Sequence, residues 1–201
     1  MNNCVQKVVD VLHAGGVVLL STDTVYGLAA LPTERKAIDK IYTLKGRPTS
    51  MNLPIMVAEV RDLIALGLDI DTNATKLFGS TLVPGAITFI LGFKTIGIRP
   101  SWLERREEVA VRIPNNSLLL SVLKKTGPLL VTSANKHGSF YSPNKVSEIL
   151  KELNGEPDLI IEDGEGKEIP STIINCRHTP PLIERSGLIP IETINEILGY
   201  E

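Results

Sequence analysis

Residues 15–28 read Gly-Gly-Val-Val-Leu-Leu-Ser-Thr-Asp-Thr-Val-Tyr-Gly-Leu and begin the pattern that decides the fold. Ahead of the glycine pair, apolar residues recur at helical spacing, at Val5, Val8, Val9 and Leu12. After it, the apolar run 17–20 predicts a strand, and a polar turn follows. A helix, a strand and a polar turn in this order indicate an α/β protein in which the turn can hold a ligand.

The rest of the chain keeps alternating between strand and helix patterns. Further strands are predicted at 53–58, 86–91, 109–113, 128–132, 158–161, 171–175 and 181–184. Helices are predicted near 34–44, through the sixties, and near 73–79, 116–125, 145–153 and 191–198. Helix starts are expected at Thr33, Asn116 and Pro190, and helix ends before Gly127 and Gly199. About seven strands in one chain predict a single α/β (α+β) domain over residues 1–201, a large twisted mixed sheet flanked by helices.

Composition narrows the class of protein. A chain of 201 residues with 43% hydrophobic content can bury one good core, and its formal net charge of −2 argues against bulk capture of nucleic acid, although 21 Lys and Arg can still form a local basic groove. No apolar run approaches the roughly 20 residues that span a bilayer, and the N-terminus lacks a signal-peptide pattern, so no membrane contact and a cytoplasmic location are expected. Cys4 and Cys176 are far apart without histidines nearby, and both are interpreted as ordinary thiols.

Two polar strings end two of the predicted elements. Lys45-Gly46-Arg47 closes the second helix, and Ser133-Ala134-Asn135 closes the strand at 128–132. Cations at one end, with a hydroxyl and an amide at the other, can clamp a polyphosphate while reading a base or ribose. Taken alone, the cations fit a solvated helix end equally well, and the serine and asparagine fit a helix cap or turn.

Together with Thr-Asp-Thr-Val-Tyr-Gly at 22–27, these strings resemble the hallmarks of the YrdC-type family, the threonylcarbamoyl-AMP synthases. Four more strings match in the family's order: Pro84-Gly85-Ala86-Ile87-Thr88, Val109-Ala110-Val111-Arg112-Ile113-Pro114, Ser171-Thr172-Ile173 and Arg185-Ser186-Gly187. The resemblance covers the chain from about the twenties to the end. It implies an L-threonylcarbamoyladenylate synthase, a nucleotidyltransferase that joins L-threonine, bicarbonate and ATP and releases pyrophosphate. The product would serve threonylcarbamoylation of a tRNA adenosine next to the anticodon, through a downstream transferase complex.

The resemblance also implies roles for single residues. Lys45 and Arg47 would be catalytic, because they would stabilise the negative charge that develops on the phosphates and the leaving pyrophosphate. L-Threonine would be bound by Thr24, Arg112, Ser133 and Ser171. ATP would be bound by Lys45, Arg47, Asn135, Asn144 and Arg185. Arg112 comes at the end of a predicted strand and could instead form a surface ion pair. Tyr26 fits a packed core position as well as a ligand contact. Mg²⁺ is expected only with ATP, held mainly by phosphate oxygens and water, and no protein metal site is predicted.

Some positions depart from the family pattern and leave alternatives open. Ser21 stands where proline is usual, Asn144 where threonine is usual, and the stretch 49–56 differs from the common Asp-Asn-Pro-Leu form. Near Met56 many relatives carry a histidine associated with threonine, and His13, His137 and His178 do not take its place. One alternative is therefore a sister adenylate-forming enzyme with another substrate. The other is a non-catalytic RNA-binding module, and direct contact with tRNA is a further expectation, although few aromatics (4%) are present for base stacking.

Overall fold

A computed structural model describes residues 2–139, 143–162 and 167–200. Within these ranges nine strands form one mixed sheet: β1 (Val18–Leu20), β2 (Gly27–Ala30), β3 (Ile55–Met56), β4 (Ile87–Leu91), β5 (Val109–Arg112), β6 (Leu129–Ser133), β7 (Leu159–Ile160), β8 (Thr172–Asn175) and β9 (Leu182–Arg185). Their order is β7-β1-β2-β6-β3-β5-β4-β8-β9, and three of the eight pairings are parallel, β1 with β7, β3 with β5, and β4 with β8. The predicted mixed α/β fold is confirmed.

Seven helices occur in the same described ranges: α1 (Asn2–His13), α2 (Arg35–Lys45), α3 (Val60–Ala65), α4 (Thr72–Phe78), α5 (Ser117–Thr126), α6 (Val146–Glu152) and α7 (Ile191–Leu198). A single 3-10 turn lies at Ser101–Leu103. Asn116 caps α5 as predicted, because its side chain accepts a hydrogen bond from the Leu119 amide at 2.9 Å. Pro190 precedes α7, and Gly127 and Gly199 follow α5 and α7. The prediction for Thr33 is wrong, since Glu34 is the residue before α2 and makes no side-chain cap bond.

The strand that the sequence did not predict is β2. Its four residues, Gly-Leu-Ala-Ala, include no β-branched or aromatic side chain, so their strand propensity is low. The strand forms because β1 and β6 pair with it from both sides, with Leu28 opposite Leu19 and Thr132. The predicted strand at 53–58 is shorter than expected and only Ile55–Met56 pairs. The predicted loop at 162–168 and the Ser142-Pro143-Asn144 string lie partly outside the described residues, as do the chain ends of the predicted domain.

Side chains alternate between two faces of the sheet, and each face has its own core. On the first face, five helices, α2, α3, α4, α6 and α7, pack on Leu28, Leu130, Val111 and Phe89. On the second face, α1 and α5 pack against each other and cover the strands β7, β1, β2 and β6. The two helices reach as far as Val131 and Met56, so the second face of β5, β4 and β8 is left without a helix above it.

Gly27 allows β2 and β6 to meet tightly at this boundary. A Cβ atom at that position would lie 2.8 Å from Val131 Cγ1, closer than real Cβ atoms approach. Its backbone angles are ordinary, so what selects glycine is space and not conformation. The close pairing brings the turn at 21–26 next to the end of β6, where Ser133 lies.

Candidate anion-binding site on the open face of the sheet

A cavity of about 510 Å³ lies on the uncovered part of the second sheet face. Its floor is made by the side chains of β4, β5 and β8 that alternate with the core residues, including Thr88, Ile90, Ala110 and Ile173. Its walls are the turn at 22–26, the segment that follows α2, and the end of β9. Six of the predicted site residues line it together: Thr24, Arg47, Arg112, Ser133, Ser171 and Arg185.

Arg112 is the most constrained of these side chains. It is 4% exposed, and its guanidinium donates from three nitrogens, to Gly85 O at 2.9 Å, Thr24 Oγ1 at 2.8 Å and Asp23 Oδ1 at 2.7 Å. Burial lowers the pKa of Arg112, and the charge of Asp23 opposes that effect. The ion pair with Asp23 is buried, so the surface ion pair considered from the sequence is not what forms. The guanidinium is fixed at the cavity floor before any ligand arrives.

Ser171 and Arg185 form a second polar group in the lining of the cavity. Ser171 Oγ lies 2.7 Å from Thr88 Oγ1, and Arg185 Nη2 donates to the Ser171 carbonyl at 2.8 Å and to its hydroxyl at 3.2 Å. Gly187 packs on the same peptide, where a Cβ would lie 2.4 Å from Ser171 C. Partial burial and the nearby charge of Arg112 lower the pKa of Arg185. Two guanidiniums that repel each other across a cavity gain stability when an anion lies between them.

Arg47 faces the cavity from the segment after α2, whose left-handed end residue is Gly46. Arg47 Nη2 donates to Asn52 O at 3.0 Å, whereas its buried Nε has no hydrogen-bond partner among the described residues. Burial lowers the pKa of Arg47. A buried donor without an acceptor is costly, so Arg47 is held less completely than Arg112.

Lys45, the other cation of the Lys-Gly-Arg string, does not line the cavity. It is 2% exposed, and its ammonium donates to the carbonyl oxygens of Ser133 and Asn135, the latter at 2.6 Å. Burial and the charge of Arg47 lower its pKa to about 8. Lys45 therefore joins the end of α2 to the turn after β6, and the His137 amide donates to the Lys45 carbonyl from the same turn.

The two remaining predicted nucleotide contacts also lie outside the cavity wall. Asn135 is 9% exposed, and its side chain accepts from Ser133 Oγ at 2.7 Å and donates to Ser139 O at 3.2 Å. Asn144 donates to Glu168 Oε1 at 3.2 Å. Both belong to the turn and segment after β6, so the structure gathers the arginines and hydroxyls in one cavity and leaves the two amides beside it.

Sequence reasoning did not single out four polar residues at the site. Asp23 pairs with Arg112, Thr88 bonds Ser171, Glu108 pairs with Arg177, and Glu184 accepts from Asn175 at 2.6 Å. Asp23 lies in the string at 22–27 and Thr88 in the string at 84–88, so these strings could have indicated both residues. In the sequence, Glu108 and Glu184 are ordinary residues near the ends of strands. They come to the same cavity because β5, β4, β8 and β9 are neighbours in the sheet.

Tyr26 and Met56 complete the apolar part of the lining. Tyr26 is 1% exposed and belongs to the core, as one of its two predicted positions has it, and one side borders the cavity. Met56 lines the cavity near the place where a histidine was expected from the family pattern. None of the described lining residues is a histidine, and His13, His137 and His178 are all exposed elsewhere.

In the described part of the chain, no three His, Cys, Asp or Glu side chains are grouped to hold a metal ion. Both carboxylates of the cavity wall are already engaged, Glu108 by Arg177 and Glu184 by Asn175. No helix within the described ranges combines the length and the apolar character needed to cross a bilayer.

An α/β sheet on which three guanidiniums and several hydroxyls surround one cavity forms a candidate site for an anion. The chain belongs to the Sua5/YciO/YrdC family, whose profile, described as "Telomere recombination", matches residues 10–187. It is 33% identical to the threonylcarbamoyl-AMP synthase of Bacillus subtilis (strain 168) over 94% of this chain and 54% of the relative.

Two solved structures show the same fold along nearly the whole chain. P. abyssi Sua5 complexed with L-threonine superposes with a TM-score of 0.85 at 29% identity, over 97% of this chain and 57% of that one. E. coli YciO superposes with a TM-score of 0.84 at 26% identity, over 96% of this chain and 94% of that one. The chain thus spans about half the length of the two synthase relatives and nearly all of YciO.

Proposed function

We propose that this chain is an enzyme, an L-threonylcarbamoyladenylate synthase. The observation that carries the proposal is the cavity in which Arg47, Arg112 and Arg185 converge with the hydroxyls of Thr24 and Ser171. Threonine offers a carboxylate and ATP offers a polyphosphate, so a cavity for both needs several cations. The B. subtilis relative is named for this activity, and the P. abyssi structure is described with L-threonine bound.

The reaction is a nucleotidyl transfer in two steps. The amine of threonine takes the carbon of bicarbonate to form a carbamate, and water is lost. An oxygen of the carbamate then attacks the α-phosphorus of ATP, the bond to the bridging oxygen breaks, and pyrophosphate leaves. Both the carbamate and the mixed anhydride hydrolyse readily, and a cavity that surrounds them limits hydrolysis by restricting water.

The proposal divides the cavity between the two substrates. Thr24, Arg112, Ser133 and Ser171 are assigned to threonine, because Arg112 and the hydroxyl of Thr24 form one fixed polar group at the floor. Arg47 and Arg185 are assigned to the phosphates, since both guanidiniums line the cavity and each belongs to a string that matches the family's nucleotide-binding residues. Lys45 and Asn135 support this end from behind by holding the turn after β6, and Asn144 stays assigned to the nucleotide by family pattern alone.

Three further assignments belong to the same proposal. Mg²⁺ is carried by the ATP phosphates. The product is used by a downstream threonylcarbamoyl-transferase complex acting on tRNA, and the location is cytoplasmic. The use of the product follows from the chemistry of an unstable adenylate, which has to be consumed close to where it forms.

A sister enzyme with a different amino-acid or carbamate substrate is the second candidate. Met56 lines the cavity where a histidine was expected, and this change alters contacts to the amino acid more than to the phosphates.

The test is pyrophosphate release from ATP and bicarbonate, with L-threonine, with other amino acids and with none. We expect release that depends on L-threonine and falls by about 100-fold or more in Arg47→Ala, as for the loss of a group that stabilises developing charge. Arg105→Ala, an exposed arginine outside the cavity, is the matched control and keeps full activity. Release with another amino acid alone would establish the sister enzyme. No release with any amino acid would contradict both the synthase and the sister enzyme and would favour the RNA-binding module.

A further inference from the structure

The segment that connects α2 to β3 forms one wall of the cavity without any regular structure. Residues Arg47, Met51, Asn52, Leu53 and Pro54 of this segment all line the cavity. Between Arg47 and Pro54 the hydrogen bond from Met51 N to Pro48 O, 3.1 Å, is internal to the segment's backbone. The Val131 amide holds the end of the segment by donating to Pro54 O at 3.0 Å, and Leu53 is buried in the core. The carbonyl groups of residues 51–53 depend on side-chain donors.

Three successive carbonyls of the segment each accept a hydrogen bond from a side chain. Met51 O accepts from Tyr42 Oη at 2.9 Å, and Asn52 O accepts from Arg47 Nη2 at 3.0 Å. Leu53 O accepts from Arg106 Nη1 at 3.1 Å. The first donor comes from α2 and the second from the segment itself, whereas Arg106 comes from the connection between β4 and β5 on the opposite side.

Arg106 is well placed to act as an anchor. It is half-buried, its amide donates to Leu103 O at 2.9 Å, and its carbonyl accepts from Arg99 Nη1 at 3.1 Å. Burial lowers the pKa of Arg106, as it does for Arg47, and the charge of Tyr42 opposes this lowering for both guanidiniums. Arg106 lines a second, basic cavity and is not among the residues that line the cavity of Arg47 and Arg112.

The position of Arg47 depends on this anchor. Its guanidinium is oriented by Asn52 O, which lies directly before the Leu53 carbonyl that Arg106 holds. Resting on the proposed function, we propose that Arg106 is a positioning residue that acts through the Leu53 carbonyl to orient Arg47 toward the phosphates of ATP. The threonine end is held separately, by Asp23 and Thr24 on Arg112.

Arg106→Met tests this idea, because methionine keeps an apolar stem and removes the donor. The matched control is Arg105→Met, which loses the same charge at the exposed neighbouring position. We expect Arg106→Met to raise KM for ATP about tenfold, the effect of one lost hydrogen bond from a charged donor, and to leave KM for L-threonine unchanged. Arg106→Lys keeps a donor and is expected to recover part of the loss.

A double-mutant cycle separates positioning from a general structural role. In an Arg47→Ala background, Arg106→Met should add almost no further change in KM for ATP, since the residue it positions is gone. Full additivity, an equal effect of Arg105→Met, or equal increases in both KM values would overturn the inference.

Binding of a non-hydrolysable ATP analogue, measured by calorimetry, keeps the inference independent of the proposed activity. If the unaltered chain releases no pyrophosphate yet binds the analogue, the proposed function fails and the same comparison of Arg106→Met with Arg105→Met still decides the role of Arg106. If the unaltered chain does not bind the analogue, the inference fails too.

Discussion

Arg112 Nη2 lies 2.7 Å from Asp23 Oδ1, and the two side chains are only 5% and 11% exposed. The pair joins the end of β5 to the turn between β1 and β2, elements that are separated in the sheet by β6 and β3. Two charges out of water are stable only as a pair, so each residue fixes the other at the cavity floor.

Removing Arg112 should therefore destabilise the fold more than removing both partners. Arg112→Met leaves a buried carboxylate without its cation and is expected to lower the free energy of unfolding by about 3–5 kcal/mol. Asp23→Asn in the Arg112→Met background should recover part of this loss. Urea unfolding of the single and double variants measures both effects, and simple additivity would show that the pair does not act as a unit.

Ser171→Ala tests the hydroxyl that bonds Thr88 and Arg185. Arg185 keeps its bond to the Ser171 carbonyl in this variant, so the cavity wall should persist. We expect KM for L-threonine to rise roughly threefold to tenfold, the range for one neutral hydrogen bond, with a smaller change in KM for ATP. Ser186→Ala, at an exposed serine next to Arg185, is the control, and an equal effect there would argue against the assignment of Ser171.

Lys45 should make stability depend on pH in the alkaline range. Its pKa is lowered from 10.5 to about 8 in the folded chain, so between about pH 8 and 10.5 the unfolded chain binds more protons at this site than the folded one. The contribution of Lys45 to stability therefore rises with pH across that window. Urea unfolding of the native chain and of Lys45→Met at pH 7.5, 9 and 10 checks the sign.

The quantity that decides this prediction is the difference in unfolding free energy between the native chain and Lys45→Met. We expect the native chain to gain stability relative to Lys45→Met as pH rises, by at most about 1.4 kcal/mol per pH unit. A difference that is flat or that falls with pH would show that Lys45 keeps its proton when buried.

Gly27→Ala tests the close approach of β2 to β6. The new methyl would lie 2.8 Å from Val131 Cγ1 and 3.4 Å from Thr132 O, and overpacking of this kind costs about 1–3 kcal/mol. Gly97→Ala is the matched control, because the nearest atom to its new methyl is Lys94 Cβ at 4.0 Å. Equal unfolding free energies for the two variants would mean that β6 shifts away without cost.

Much of the fold could be predicted from the order of the patterns. Apolar runs such as 86–91 and 109–113 became central strands because their alternate residues face a core on one side, as with Phe89 and Val111. The strand β2 could not be found this way, because Gly-Leu-Ala-Ala carries little propensity and pairs only when β1 and β6 supply hydrogen bonds on both edges.

The candidate site shows the same division. The sequence placed Arg47, Arg112, Ser171 and Arg185 in matched strings, and the structure brings all four to one cavity. It gave no reason to separate Lys45 from Arg47, two residues apart, yet one is buried against Ser133 and Asn135 and the other faces the cavity. The left-handed Gly46 between them turns the chain, and only packing decides which way each cation points.

Sequence by itself determined the alternation of helices and strands, the α/β class and the polar strings, because these depend on local periodicity and residue type. Tertiary structure decided which part of the sheet stays uncovered, since α1 and α5 reach only to Val131 and Met56. It also decided which charges are paired, because partners such as Asp23 and Arg112, or Leu53 and Arg106, are far apart along the chain. Contacts between distant residues depend on how the whole core packs, and no local pattern encodes them.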